Sequence, residues 1–443
     1  MSGGESTLVP GLAAALARSG VGGGIANLER LSGGANMESW AFACGEGTYV
    51  LRRAPSAEVM AGRPLDHTSE AALIRAAHAA GVPAPEVVAE LAPEDGIGSG
   101  FVMRRIAGTA APATVLGEGG GALLEDIAAA LAGIHRTPPP PGLPELDPAQ
   151  GVEALAAQFA AHGGDRPIIA LGLAWLRASV PPASEPALVH GDFRIGNLMA
   201  EHGRLTGVLD WEIAHLGDFH EDLAYGCMAV WRFGSPKPGF GLGTLDELFE
   251  AYSAAGGQPV DPGRFRFWLV YRTVWWALGC LGMGQTWRSR ADRSLERVVV
   301  GRRASEQELD LLLLLEDEAP EAERARPLPN AVARSETESG EPSAAEIVTA
   351  VGEWLAASKD RFAGRERFEH AVARNALGIV ARELATHPPS RDKELADAIL
   401  AGEATLAAPG LLARLRAAAL AKLAADSPKY PSLAIARETW QGS

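Results

Sequence analysis

LVHGDFRIGNLMA, residues 188–200, decides how the rest of the chain is read. One apolar run enters it and another leaves it. Between them stand a His, two Gly, an Asp, an Arg and an Asn. A loop that only has to turn does so with Gly and Asn. This one also carries an acid at Asp192, a cation at Arg194, an amide at Asn197 and a ring at His190. A short apolar strand, LTGVLDW (205–211), follows and delivers a second acid, Asp210.

The spacing has a chemical meaning. An Asp followed five residues later by an Asn, with a further acid on the next hairpin, is the skeleton of a protein-kinase catalytic loop. Phosphoryl transfer asks little covalent help of a protein. It needs a carboxylate that orients the attacking hydroxyl, and hard oxygen ligands that hold Mg²⁺ on the nucleotide phosphates. Asp192 suits the first task, and Asn197 and Asp210 the second. Arg194 is placed to reach the transferring group.

The N-terminal half should then supply a phosphate cation on a third strand, with a helix carboxylate to hold it. YVLR (49–52) puts Arg52 there, and Glu70, in the first turn of a capped helix, is its expected partner. Arg keeps its charge and grips phosphate bidentately, so it serves where kinases usually carry Lys. Strand alternation sends Arg53 to the opposite face. SGGAN (32–36) stands where a loop would cover the phosphates, so Ser32, Gly33 and Gly34 are expected at the nucleotide. The chain has neither a GxGxxG nor a GxxxxGK[ST] phosphate loop.

Bulk properties agree with such an enzyme. With 443 residues, two or three domains are expected. A hydrophobic content of 47% and a charged content of 21% describe an ordinary globular protein. The net charge of -15 argues against nucleic-acid binding. Cys44, Cys227 and Cys280 lie far apart, which excludes a zinc ribbon and points to a reducing cytoplasm. The N-terminus has no basic region ahead of an apolar stretch and does not read as a signal peptide. FWLVYRTVWWALGCLGMG (267–284) is broken by Arg272 and several Gly, so it reads as a buried helix and no membrane partner is expected.

Along the chain, Trp40–Cys44 and Thr48–Arg53 form a hairpin around Gly45-Glu46-Gly47. Thr68 or Ser69 can cap a helix through EAALIRAAHAAG that ends near Gly81, and apolar strands follow at 87–91 and 100–106. Helical periods then cover 123–135, 152–161 and 168–180, and resume from Glu221 to about Leu315. The expected fold is α+β: a bilobal protein-kinase-like domain with an antiparallel N-lobe sheet plus helix and a mostly helical C-lobe, followed by a small all-α domain. The expected boundaries are 1–107 for the N-lobe, 108–315 for the C-lobe, 316–343 for an acidic flexible linker and 344–443 for the helical domain.

HGDFRIGN, GVLDWE and AHLGDFHEDLAY together resemble the aminoglycoside phosphotransferase family, and LRRAP and SEAALIRAAHAAGVPAPEV extend the likeness over about residues 25–315. The resemblance implies a two-lobed fold using ATP and Mg²⁺. Asp192 would orient the hydroxyl, Asn197 and Asp210 would bind metal, and Arg52 would contact phosphates with Glu70 behind it. The stretch from Met103 to Ile106 would be the hinge to the adenine. The wording is most similar to the phosphotransferase domains joined to acyl-CoA dehydrogenases, which implies a hydroxyacyl-CoA or related metabolite as acceptor before an aminoglycoside. The last hundred residues resemble a helical domain of unknown function. It is the expected route to a protein partner or homodimer. One departure is Phe219 in GDFHEDLA, where the family commonly has Pro.

Other polar residues have plainer readings. His190 is expected to brace the loop, Asp218 and Asp222 to cap a helix and hold the loop, and His135 to pack and cap. The aromatic group from Phe265 to Trp276 reads mostly as helix core. The competing function is a nucleotide-binding pseudokinase scaffold that recruits a partner through its helical tail. Such a scaffold would be expected to have lost one of the three oxygen-bearing positions, and none is lost.

Overall fold

Five strands form one antiparallel sheet in the order β1-β2-β3-β5-β4: β1 Ile25–Arg30, β2 Glu38–Cys44, β3 Gly47–Ala54, β4 Val87–Glu90 and β5 Ser99–Arg104. The computed structural model describes residues 5–31, 37–329, 344–386 and 391–441. These fall into two compact units, one of residues up to 147 with 183–265, the other of 148–182 with 266 onward.

In the first unit the β2–β3 hairpin pairs Cys44 with Gly47 and Glu38 with Arg53, around the glycine turn seen in the sequence. Alternate residues share a face. Trp40, Phe42, Tyr49, Leu51 and Val102 therefore gather in one buried cluster. The helix Glu5–Arg18, not foreseen from the sequence, adds Leu8, Leu12 and Leu16 to that cluster at intervals of four residues. Each buried leucine contributes about 2 kcal/mol. Arg18 clamps the helix end to Asp95 through two bonds of 2.6 Å.

The opposite face carries Arg52 and Phe101, which are register partners. The helix His67–Ala79 belongs to this side, with His67 edge-on to Phe101, and buries Glu70, Leu73, Ile74 and Ala77 at helical spacing. Its N-cap is Asp66, whose carboxylate accepts the Ser69 N–H at 2.7 Å, so neither Thr68 nor Ser69 is the cap. An ionised acceptor ahead of the first turn satisfies a free N–H and meets the positive end of the helix dipole.

Past β5 the chain turns helical, with Gly121–Arg136 burying Leu123, Leu124, Ile127, Leu131 and Ile134. Two small ribbons follow: β6 Ala187–Val189 with β9 His215–Gly217, and β7 Leu198–Glu201 with β8 Arg204–Val208. The 188–200 loop runs from β6 into β7. Thr109 and Ala200 exchange two backbone bonds of 2.9 Å, tying the segment after β5 to β7.

Among the described residues, helices build the second unit. The segment 267–284 lies inside the helix Pro262–Arg288, with Trp268, Val274, Leu278 and Cys280 fully buried, as a core helix should be. No helix among the described residues is long and apolar enough to cross a membrane. The first part of the stretch read as an acidic tether carries order: a turn Glu316–Glu318 and a helix Glu321–Arg324. Glu316 accepts from Arg416 and from the Trp440 indole, both at 2.7 Å, which fastens that turn to the C-terminal helices. Residues 330–343 lie outside the described residues. The C-terminal helices from Ala344 to Gln441 group with 148–182 and 266–329 in one unit.

Candidate active site

The 188–200 loop is shaped by a glycine and held by a buried acid. Gly191 sits at φ +81°, and a Cβ there would meet the Ile213 carbonyl oxygen at 2.7 Å, so only Gly fits. Asp222, on the helix His220–Cys227, accepts the backbone N–H of His190 at 2.7 Å and of Gly191 at 2.9 Å. It is fully buried. Burial works against its charge, but the bond from His135 and the His190 contacts hold its carboxyl below the usual carboxylate range. His135 Nε2 stands 3.3 Å from Asp222 Oδ2, and its Nδ1 lies 2.8 Å from the Tyr252 hydroxyl. Tyr252, His135 and Asp222 thus form a chain ending on the loop backbone, a larger task than the packing and capping role read for His135.

His190 is fully buried against Trp211, ring centroids 4.5 Å apart, and burial holds it below the usual histidine range. A neutral ring accepting the Asp192 N–H at Nδ1 is a brace and not a base. Asp218 accepts from His220 and from Arg264 at 2.9 Å.

Both carboxylate oxygens of Asp192 are engaged. Arg194 Nε donates to Oδ1 at 2.9 Å, and Asn197 Nδ2 donates to Oδ2 at 2.6 Å. The Arg194 guanidinium lies 4.2 Å from the Trp231 ring centroid, so the cation has a fixed seat. Asp210 follows β8 at φ +68°, a conformation that L side chains adopt only where the surroundings impose it. Leu209 N–H donates to the Asn197 carbonyl at 2.9 Å, which keeps the two metal candidates on neighbouring backbone.

Arg52 joins the halves of the site. Its Nε lies 3.1 Å from Glu70, and its Nη2 lies 3.0 Å from Asp210 and 2.6 Å from Glu212. Burial opposes its charge, but the three carboxylates raise its pKa further above the usual arginine value. Burial pushes the Glu70 carboxyl up to about 7, with Arg52 pulling the other way. His67 is driven down to about 4 by burial and by Arg52 and Arg63, so it is neutral. Arg53 points away, to Glu38 and the Ile97 carbonyl.

Two residues of this cluster had no role in the sequence reading. Glu212 ends the GVLDWE stretch and accepts from Arg52 and from Arg63, both at 2.6 Å. Arg63 lies in the segment between β3 and the helix His67–Ala79, where no motif marks it. A cavity of about 520 Å³ lined by Glu58, Arg63, Glu212 and Ile213 borders the cluster.

The hinge candidates lie on β5 and just beyond it. Met103 pairs opposite Val50 and Val87 in the sheet, and Ile106, beyond β5, packs where a Gly207 Cβ would lie 2.4 Å from its Cδ1. Ser32, Gly33 and Gly34 lie outside the described residues.

Among the described residues no group of three His, Cys, Asp or Glu side chains is gathered for a metal ion. The oxygen donors at the site are nonetheless of the right kind for Mg²⁺. Both side-chain hydrogen bonds of Asn197 leave through Nδ2, which leaves Oδ1 as the donor atom, and the Asp210 side chain is 33% exposed.

Clamped carboxylates and a carboxylate-held arginine, carried on a five-stranded antiparallel sheet and the helices after it, are the frame of a kinase-like phosphotransferase fold. The chain belongs to the phosphotransferase enzyme family, whose model matches residues 27–268. A second model, the domain of unknown function DUF6285, matches residues 360–430. Among curated proteins, acyl-CoA dehydrogenase family member 10 of Mus musculus is 34% identical over 129 residues, covering 26% of this chain and 12% of that protein. Acyl-CoA dehydrogenase family member 11 of Gallus gallus is 46% identical over 54 residues, 12% of this chain and 7% of that protein. The chain thus matches about an eighth or less of these relatives' length. A solved Ralstonia eutropha structure, assigned to the aminoglycoside phosphotransferases, shares the fold at TM-score 0.57 with 22% identity, covering 69% of this chain and 98% of that one.

Proposed function

We propose that this phosphotransferase moves the γ-phosphoryl group of ATP to a hydroxyl of a small molecule, with Asp192 as the residue that receives that hydroxyl. The observation carrying the reading is the double clamp on Asp192, by Arg194 at 2.9 Å and Asn197 at 2.6 Å, on a loop fixed by Asp222. A carboxylate so held is preorganised to orient an attacking oxygen and accept its proton. Arg194, seated on Trp231, offsets charge on the transferring group. Arg52 trades its Nη2 contacts with Asp210 and Glu212 for nucleotide phosphates, while Glu70 keeps hold of Nε. Mg²⁺, when bound, offsets the phosphate charge, and Asn197 and Asp210 are the side chains that would hold it. Met103 and Ile106 would meet the adenine, and Ser32, Gly33 and Gly34 the phosphates.

For the acceptor we favour a hydroxyacyl-CoA or related metabolite over an aminoglycoside. The support is that the curated relatives are acyl-CoA dehydrogenase family members. Three buried free thiols, Cys44, Cys227 and Cys280, suit a cytoplasmic setting. The chain divides, on this reading, into N-lobe 1–107, C-lobe 108–315, an acidic connection 316–343 whose first part is ordered, and a helical domain 344–443. The test is ADP release by the full chain with ATP, Mg²⁺ and a panel of hydroxyacyl thioesters, aminoglycosides and amino alcohols. Turnover with one class, lost in Asp192→Asn with nucleotide binding retained, is the expected result. Nucleotide binding without turnover on any acceptor, in parent and variant alike, would favour the scaffold reading.

A further inference from the structure

Six of the ten large apolar side chains that stand exposed among the described residues lie between 347 and 384: Ile347, Val351, Trp354, Phe368, Val380 and Leu384. They belong to two consecutive helices, Ala344–Ala357 and Gly364–Thr386, that pack on each other. The first, AAEIVTAVGEWLAA, has only Glu346, Thr349 and Glu353 as polar side chains. None of its described side chains is buried. Ile347, Val351 and Trp354, four and three residues apart, form one stripe, and Trp354 is 68% exposed. A helix this apolar gains its stability from whatever covers the stripe.

The chain itself has little to offer as that cover. Residues 330–343, NAVARSETESGEPS, carry a single large aliphatic side chain, Val332, and 387–390, HPPS, carry none. We propose that the helix pair 344–386 is a homodimer face, meeting the same pair of a second copy across a two-fold axis.

Charge and the exposed apolar stripe both favour a second copy. The first helix carries only acids, Glu346 and Glu353, whereas 359–386 carries six basic residues against four acidic ones. A two-fold axis can set the acidic helix of each copy beside the basic stretch of the other, so one pairing satisfies both. The Ile347, Val351 and Trp354 stripe, with Phe368, Val380 and Leu384 exposed on the neighbouring helix, is the kind of apolar surface that interfaces cover.

The test is sedimentation equilibrium of the full chain, with Trp354→Glu and Ile347→Glu, each checked by circular dichroism for retained helix. Ile435→Glu, at an exposed apolar side chain outside the pair, is the control. The expected result is a dimer with Kd at or below about 10 µM, weakened at least about 100-fold by either stripe variant and unchanged in the control. A parent that stays monomeric at ten times that concentration overturns the proposal. So does a dimer that survives folded Trp354→Glu and Ile347→Glu. Should Trp354→Glu lose its helix, the folded Ile347→Glu decides.

Discussion

Exchanging Asp222 for Asn replaces one oxygen of a buried carboxylate by an amide nitrogen, at the point where two loop N–H groups converge. His190 N–H and Gly191 N–H donate to separate oxygens at 2.7 and 2.9 Å. An Asn keeps one acceptor and turns an NH₂ toward the other donor. Losing one charge-assisted bond and facing two buried donors together costs about 3–5 kcal/mol. For a domain of this size each kcal/mol is about 2–4 °C, so Tm should fall by roughly 6–20 °C. Where the variant is still folded, Asp192 is displaced with the loop, and ADP release should drop at least tenfold, since a shift of about 1 Å at a reacting group can cost 100-fold. Arg52 and Glu70 are untouched, so nucleotide affinity should stay within about threefold. Scanning calorimetry, titration with a non-hydrolysable ATP analogue and ADP release report the three effects. A variant with unchanged Tm and full turnover would refute the role given to Asp222.

Arg52→Met removes the cation shared by Glu70, Asp210 and Glu212. Nucleotide binding by calorimetry should weaken about 10- to 100-fold, the worth of one charge-assisted contact, with Arg52→Lys recovering most of it. Glu70, raised to about 7 and faced by Arg52, Arg63, Asp210 and Glu212, gives a pH signature. A carboxyl raised in the folded state contributes stability that is fully present below its ordinary value of 4.5 and is lost as pH rises through about 7. Urea unfolding should therefore show the parent losing stability relative to Glu70→Gln between pH 5 and pH 8. A gap that does not change over that window would contradict the assignment.

Most of the sheet and the loop are legible in the sequence because their signals are local. Turn glycines mark the β2–β3 hairpin, and strand alternation separates Arg52 from Arg53, as the ion pairs of each bear out. What escaped is set by contacts distant in sequence. The helix Glu5–Arg18 hides its leucine period behind Pro10 and Gly11. Glu212 and Arg63 acquire meaning only when the segment after β3 meets the end of GVLDWE. His135 looks like the end of an Ala/Leu helix until Asp222 and Tyr252, on later helices, close around its ring. At Asp66 the miss was local: three candidate caps stand almost side by side, and the carboxylate is the one that takes the N–H.

The most direct measurement is γ-phosphoryl transfer by Asp192→Asn, beside nucleotide affinity in the same preparation. Asn keeps the shape and forfeits the charge that receives the hydroxyl proton, so turnover should fall at least about 100-fold while nucleotide affinity holds. A variant that transfers phosphate at the parent's rate would contradict the account at its centre.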